Sequence, residues 1–274
     1  MLSRRCSARE PMTAPDSILP LELRDVCYDA GGRRLIKNVS CRFSHGARSV
    51  VVGPNGAGKS LLLRLCHGLL TPTSGEIVWH GARGRDPAPR QAMVFQRPVM
   101  LRRSVAANVD YALKLKGVAR GDRRARVDEA LTRTGLHRLA GTQARVLSIG
   151  EQQKLALARV WALGPELLFL DEPTASLDPA ATHEIEELIQ GLHAAGTRII
   201  LTTHDLAQAR RIADEVIFIH RGRLIEQAPA ESFFERPREA LAGAFLRGEL
   251  LWWDDDDEAD SARRASRDDP RTLH

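Results

Sequence analysis

Short apolar runs alternate with longer amphipathic stretches along most of the chain. Runs of this length are typical of buried β-strands. The predicted strands are RSVVV (48–52), MVFQ (93–96), ELLFLDE (166–172) and RIILTTH (198–204), and EVIFIHRGRLIE (215–226) is predicted to be a strand or a hairpin. These runs therefore predict a sheet in the interior of the protein.

Between the runs, apolar residues recur at helical spacing. The predicted helices are KSLLLRLCHGLL (59–70), SVAANVDYALKLKG (104–117), RRARVDEALTRTGL (123–136), AATHEIEELIQGLHAAG (180–196) and DLAQARRIAD (205–214). Strands that alternate with helices predict an α/β fold built on a parallel sheet. The stretch from about 97 to 160 is mostly helical, and we interpret it as an inserted subdomain.

Both ends of the chain lack this patterning. Residues 1–20 contain three prolines and no periodicity, which predicts a disordered N-terminal tail. Residues 254–274 are polar with blocks of charge, which predicts a disordered charged tail over residues 251–274. One domain is therefore expected over residues 21–250.

Nothing in the sequence predicts a segment inserted in a membrane. No apolar run approaches the ~20 residues that a membrane span needs. The opening MLSRRCSAREPMTAPDS (1–17) also lacks the apolar core of a secretory signal. The chain is therefore expected to stay in the cytosol unless a partner holds it at a membrane.

The net charge of +5 is the main compositional feature, since hydrophobic and charged contents of 43% and 27% are ordinary. A basic protein can bind nucleic acid or an anionic membrane. The basic residues are scattered, however, and the densest cluster (119–129) also carries acids and lacks aromatic residues that could stack on bases. We therefore favour compositional bias and expect no direct contact with nucleic acid.

Four cysteines are present, and no two are spaced as a CxxC pair. They are Cys6, Cys27, Cys41 and Cys66. Without paired spacing, a metal or redox role is not favoured, and reduced, inert thiols are expected.

GPNGAGKS (53–60) matches the phosphate-loop pattern G-x-x-x-x-G-K-[ST] and lies between a predicted strand and a predicted helix, as that motif requires. Its glycines let the backbone wrap a polyphosphate whose oxygens meet N–H groups at a helix N-terminus. Lys59 is predicted to reach the β- and γ-phosphates, and the Ser60 hydroxyl to hold Mg²⁺. The predicted nucleotide-binding residues here are Gly53, Pro54, Asn55, Gly56, Ala57, Gly58, Lys59, Ser60 and Leu61.

Polar side chains end three other predicted strands, and ligands of open α/β sheets collect at the carboxyl ends of strands. Asp171 is predicted to hold Mg²⁺ through water, and Glu172 to orient or deprotonate an attacking water. His204 ends RIILTTH and is predicted to be catalytic near the γ-phosphate. Gln96 ends MVFQ and is predicted to contact Mg²⁺ or the water.

The order of these motifs resembles that of the ATP-binding cassette (ABC) transporter ATPases over about residues 21–247. A D-loop SLD (176–178) and an aromatic A-loop candidate, Tyr28, extend the match. The resemblance implies a P-loop NTPase with a RecA-like core, a small antiparallel β subdomain, an inserted helical subdomain, and ATP and Mg²⁺ as cofactors. Tyr28 would stack on adenine; the alternative is a tyrosine that packs in an N-terminal strand.

The segment LSIGEQ (147–152) resembles the family signature LSGGQ, with isoleucine at the first glycine. The resemblance implies a homodimer in which Ser148, Gly150 and Glu151 of one copy face the ATP bound by the other. Ser148 is also a predicted helix N-cap. If position 149 requires a positive φ, Ile149 costs about 1–3 kcal/mol. If its side chain points away at an ordinary backbone angle, isoleucine is tolerated.

The resemblance also implies a role at the cytoplasmic face of the cell membrane, with a separate transmembrane permease and a periplasmic or extracellular substrate-binding protein. Residues 90–113 and 245–252 are most similar to ATPases of tungstate importers, followed by molybdate and phosphate importers. Residues 97–105 are expected to dock the permease through exposed Val99, Met100 and Leu101. An exporter ATPase, or less favourably an ABC ATPase acting on nucleic acid, is the alternative.

Overall fold

A computed structural model describes residues 17–82 and 84–249. The strands within these stretches are β1 (Leu21–Ala30), β2 (Arg33–Phe43), β3 (Ser49–Val52), β4 (Ser74–Trp79), β5 (Gln91–Val94), β6 (Leu167–Asp171), β7 (Arg198–Thr202), β8 (Glu215–His220) and β9 (Arg223–Pro229). The α-helices are α1 (Lys59–His67), α2 (Val105–Leu115), α3 (Arg120–Arg133), α4 (Ile149–Leu163), α5 (Pro179–Ala194), α6 (Leu206–Ile212), α7 (Ala230–Glu235) and α8 (Ala240–Leu246).

The strands form two sheets. A small antiparallel sheet has the order β2-β1-β4, and a larger sheet has the order β5-β6-β7-β3-β8-β9. Neighbours in the larger sheet are parallel except for the β8–β9 hairpin at its edge. Every residue of β3, β6 and β7 is buried, which explains why these strands read as unbroken apolar runs. The α/β fold with an antiparallel β subdomain is therefore confirmed.

Three apolar cores hold the layers together. The first lies between the antiparallel sheet, α1 and one face of the larger sheet. The second lies on the other face of the larger sheet, under α5, α6, α7 and α8. The third is enclosed by α2, α3 and α4, and Trp161 of α4 packs against both the second and the third. Helix α4 thus connects the helical subdomain to the sheet.

Several element ends differ from the sequence prediction. Helix α1 stops at His67 because Gly68 takes a left-handed conformation that caps it, so residues 69 and 70 are not helical. Strand β5 ends at Val94, and Gln96 follows it by two residues. Helix α4 extends to Leu163, three residues beyond the predicted end of the helical subdomain.

The predicted N-terminal tail reaches too far into the chain. Ile18 and Leu19 are buried in the first core, and the Ile18 N–H donates to the Glu166 carboxylate at 2.9 and 3.1 Å. The domain therefore begins at or before Ser17. The remaining tail predictions, for residues 1–16 and 250–274, lie outside the described residues.

The fold bears on two expectations from the sequence, one about membrane spans and one about the cysteines. None of the helices in residues 17–82 and 84–249 has both the length and the apolar character needed to cross a membrane. Cys27, Cys41 and Cys66 are buried free thiols, as expected, and Cys6 lies outside the described residues. Burial raises the pKa of Cys41 to about 12, so this group stays a neutral thiol at physiological pH.

Candidate nucleotide site

The loop between β3 and α1 approaches neighbouring backbone too closely for most side chains. Gly53 has a φ of 154°, and a Cβ at this position would lie 2.1 Å from the Ile219 carbonyl oxygen. Gly58 caps α1 in a left-handed conformation, offers no side-chain acceptor, and is followed by no acid in the first turn. The N–H groups and positive potential of this helix end are therefore free of side-chain competition for an anion.

The Lys59 side chain folds back along the inside of this loop. Its ammonium donates to the Gly53 carbonyl at 2.9 Å and the Pro54 carbonyl at 3.1 Å, and lies 3.4 Å from Glu172 Oε1. Only 5% of Lys59 is exposed, so the charge depends on these partners. The ammonium is thereby fixed between the loop and the end of β6.

Ser60 and Asp171 form the second part of the site. The Ser60 hydroxyl donates to Asp171 Oδ1 at 2.7 Å, and the Thr202 hydroxyl donates to the same oxygen at 2.9 Å. Asp171 is the last residue of β6 and pairs with Thr202 of β7, which sets this register. Hydroxyl and carboxylate oxygens suit Mg²⁺, which takes few protein ligands and shares the rest with phosphate and water. The donor set therefore fits the predicted metal.

Glu172 follows β6 directly, in a left-handed backbone conformation with a φ of 45°. Its N–H donates to the Thr202 hydroxyl at 3.0 Å, which helps to hold that conformation. Its carboxylate lies between the Lys59 ammonium and His204 Nδ1, which is 3.0 Å from Glu172 Oε2. His204 is half exposed, so this carboxylate–imidazole pair faces the opening of the site. A carboxylate held in this way can orient a water and accept its proton.

The two remaining predicted groups border the site. Val94 of β5 pairs with Leu170 of β6, so exposed Gln96 emerges at the same sheet edge as Asp171. Half-buried Tyr28 pairs across the strands with Ile36 and packs against the first core. Gly58 faces Ile36 in turn, because a Cβ on Gly58 would lie 2.9 Å from Ile36 Cδ1. Tyr28 is therefore adjacent to the loop, and packing and base stacking are compatible roles for one ring.

The signature segment forms the N-terminus of α4. The Ser148 hydroxyl accepts from the Glu151 N–H at 3.3 Å, and the Glu151 carboxylate accepts from the Ser148 N–H at 2.8 Å, which makes a capping box. Ile149 is the first helical residue, has no positive φ, and is 62% exposed. Of the two possibilities left by the sequence, the strained backbone is ruled out. Gly150 has room for a Cβ, 3.5 Å from the Ala181 Cβ.

The predicted docking segment (97–105) is only partly exposed. Val99 is 72% exposed, as expected, and Leu101 is half-buried. The prediction that Met100 is exposed is wrong, because its side chain enters the third core and its sulfur accepts from Arg159 Nη2 at 3.3 Å. An apolar run beside arginines does not by itself separate an exposed surface from the rim of a core.

Three polar residues near the site were missed by the sequence prediction. Thr202 bonds both Asp171 and the backbone of Glu172. Gln153 and Gln208 donate to the residues that follow Glu172, at Pro173 and Thr174. The motif TTH contained a signal for Thr202, since it ends a buried strand beside β6. No sequence signal identified the two glutamines, whose partners are set by helix packing.

The fold and the site define a P-loop nucleotide-binding protein. Residues 36–175 match the family model described as ABC transporter, and the chain belongs to this family. It is an ATP-binding subunit of ABC-transporter type and therefore an ATPase.

Curated relatives cover most of the chain. It is 35% identical to a phosphate import ATP-binding protein, PstB 2, of Natronomonas pharaonis, over 85% of this chain and 88% of that protein. It is 37% identical to the tungstate uptake system ATP-binding protein TupC of Peptoclostridium acidaminophilum, over 74% of this chain and 94% of that protein. It is 34% identical to the methionine import ATP-binding protein MetN of Corynebacterium diphtheriae, over 85% and 72%.

Solved structures share the fold. The chain superposes on CbiO1 of Clostridium perfringens, described as part of the ABC transporter complex CbiONQ, with a TM-score of 0.70 and 30% identity. The superposition covers 83% of this chain and 94% of that one. The two-sheet architecture with its inserted helices is thus that of known ABC ATP-binding subunits.

Proposed function

We propose that this chain powers the import of a small oxyanion, with tungstate as the first candidate, through a separate transmembrane permease. Two copies would work together at the cytoplasmic face of the membrane, with a substrate-binding protein on the other side. The similarity to importer subunits, including a tungstate uptake protein, supports an import role. The observation that carries the ATPase half is the Glu172 carboxylate held between Lys59 and His204 beside the phosphate loop.

In this proposal, the loop N–H groups and Lys59 bind the β- and γ-phosphates, while Ser60 and Asp171 hold Mg²⁺. Bound Mg²⁺ neutralises charge that develops on the phosphate oxygens. Glu172 orients the attacking water and accepts its proton, and His204 keeps the carboxylate in place. Gln96 would contact the metal or the water, and Tyr28 would stack on the adenine.

The second half of each site comes from the partner copy in this proposal. Ser148, Gly150 and Glu151 lie at an exposed helix N-terminus, whose positive potential suits contact with a phosphate that another molecule carries, while the Glu151 carboxylate offsets part of that potential. Hydrolysis would then separate the two copies and move the permease, which docks near exposed Val99. Phosphate is a comparably supported substrate, because several relatives are phosphate importer subunits.

The substrate can be tested with the complex of this chain and its co-encoded permease in proteoliposomes. We expect a tungstate-loaded binding protein to stimulate ATP hydrolysis, and phosphate or methionine not to do so. Stimulation by phosphate alone would replace tungstate in the proposal. If none of the loaded binding proteins stimulates ATP hydrolysis, the result would contradict an importer and favour an exporter. Wild-type activity in Glu172→Gln would contradict the catalytic assignment independently of the substrate.

A further inference from the structure

The loop that follows β6, residues 172–178, has an unusual backbone. Glu172 and Ser176 both adopt left-handed conformations, with φ values of 45° and 68°. Residues other than glycine keep such conformations only where surrounding contacts determine them strongly. The contacts of this post-β6 loop therefore bear directly on where the Glu172 carboxylate lies.

Gln153 provides one of these contacts from α4. Its amide donates at 2.7 Å to the carbonyl of Pro173, the residue that follows Glu172, and only 2% of Gln153 is exposed. Its Oε1 is buried and has no hydrogen-bond partner among the described residues. A buried acceptor without a partner is costly, so this glutamine is best explained by the bond that its donor makes.

Gln208 of α6 holds the loop from another element. Its amide donates to the Thr174 hydroxyl at 2.8 Å and to Glu186 Oε1 at 3.1 Å. Arg211 pairs with both carboxylate oxygens of Glu186, at 2.7 and 3.0 Å, so this support is itself fixed. Two buried amides on separate helices therefore bond to successive residues after Glu172.

Gln153 differs from Gln208 because it lies on α4, the helix that follows the signature serine, whereas Gln208 lies on α6. Helix α4 begins at Ile149, immediately after the exposed Ser148 of the signature segment. Gln153 lies just over one turn further along the same helix. A displacement of the N-terminal end of α4 would therefore reach the Pro173 carbonyl through the single hydrogen bond from Gln153.

We propose that Gln153 is a positioning residue for Glu172. Gln153 transmits the placement of the signature helix, α4, to the carbonyl of Pro173, the residue that follows the catalytic glutamate. The proposal rests on the catalytic role proposed above for Glu172. Gln153 touches neither nucleotide nor water in this scheme, and its effect on turnover passes entirely through the post-β6 loop.

Gln153→Met tests this with little change in shape. Because Oε1 has no partner, the variant loses a single hydrogen bond and gains no new unpaired group on that side chain. Gln227→Met is the control away from this loop, since the Gln227 amide on β9 donates to the Arg42 carbonyl at 3.0 Å and to Glu215 Oε1 at 2.7 Å, and its removal costs at least as many hydrogen bonds. We expect kcat of Gln153→Met to fall about tenfold, because small misplacements of reacting groups cost at least that much.

The binding constant for Mg-ATP, KM and the melting temperature distinguish positioning from general destabilisation. We expect ATP affinity and KM in Gln153→Met to stay within about twofold of wild type, and kcat of Gln227→Met to be unchanged. An unchanged kcat in Gln153→Met, or an equal loss of kcat and ATP affinity, would overturn the proposal.

Gln153→Glu provides a second variant. Its kcat should be lowest at alkaline pH and recover on acidification, because only the protonated carboxyl can donate to the Pro173 carbonyl. A pH profile parallel to that of wild type would count against the proposal.

A double variant separates this inference from the role of Glu172. In Glu172→Gln, adding Gln153→Met should cause no further loss of kcat, because the group that Gln153 positions is gone. Additive losses would overturn the proposal. If Glu172→Gln retains wild-type turnover, the role of Glu172 fails first and this inference with it. If Glu172→Gln is inactive and Gln153→Met is normal, this inference fails alone.

Discussion

Two loops in this chain run into the N-terminus of a helix, and they meet the helix in opposite ways. Before α1, left-handed Gly58 offers no side-chain acceptor to the first-turn N–H groups. Before α4, Ser148 and Glu151 bond to each other's backbone and satisfy such groups from within the chain. The first helix end is prepared for an anion, whereas the second already has a carboxylate in place.

The two loops also differ in how deeply the residues in or beside them are buried. Lys59 and Asp171 beside the first loop are buried and hydrogen-bonded to partners in the same chain. Ser148 and Ile149 of the second are exposed. Of these two loops, only the first should therefore affect nucleotide binding, while the second should affect turnover once another molecule reaches it. Single substitutions in each loop test this distinction.

Lys59→Met should have the largest effect. It leaves the Gly53 carbonyl without its lysine donor and Glu172 without its cation, and losing one partner of a buried charge pair costs about 2–5 kcal/mol. We expect ATP affinity to fall about 100-fold or more, measured by titration calorimetry with a melting curve to check the fold. Affinity close to wild type in a folded Lys59→Met protein would contradict the assignment of the loop.

Ser148→Ala should lower turnover without changing nucleotide binding. The variant removes the cap of α4, which is worth about 1 kcal/mol, together with the hydroxyl proposed to meet the partner's phosphate. We expect ATPase activity to fall about tenfold and ATP affinity of the isolated chain to stay the same. A parallel loss of affinity would mean that the second loop supports the nucleotide of its own chain.

Glu151→Gln should have a smaller effect than Ser148→Ala, and it should raise ATPase activity instead of lowering it. Glutamine can keep the capping box, while the negative charge that would oppose an approaching phosphate is removed. We expect steady-state ATPase activity to rise by about two- to fivefold, and stability to change by less than about 0.5 kcal/mol. Lower activity with an unchanged melting temperature would show that the carboxylate itself is used.

Ile149→Gly should change least. Residue 149 has a helical backbone and an exposed side chain, so glycine relieves no strain and costs the helix about 0.5–1 kcal/mol. We expect ATPase activity to be preserved or raised by no more than about twofold, with a slightly lower melting temperature. A clear loss of activity would assign the isoleucine a contact with the partner copy.

The sequence predicted the first loop better than the second for a physical reason. The phosphate loop combines a buried apolar strand, glycines at close backbone approaches, and a helix start, all of which are local signals. The signals for Asp171 and Glu172 are equally local, because Asp171 ends a fully buried strand and Glu172 follows it. The resemblance to ABC ATPases then supplied the antiparallel sheet, which no residue pattern had indicated.

Features that depend on packing between elements were not predictable in this way. The burial of Met100 depends on how α4 packs against the docking segment, and the burial of Ile18 on a contact with Glu166, far away in the sequence. The bonds from Gln153 and Gln208 to the post-β6 loop likewise join separate helices. The conformation of Ile149 could be stated only as two alternatives, because one residue type was compatible with either backbone angle.

One working site should need the phosphate loop of one copy and the signature segment of another. Mixing two inactive variants, Lys59→Met and Ser148→Arg, tests this requirement. Each variant alone would have both sites of a pair broken, whereas a mixed pair would contain one site with both halves intact. We expect the mixture to hydrolyse ATP well above the sum of the two separate samples. Activity no higher than that sum, in a mixture shown to form mixed pairs, would contradict this requirement.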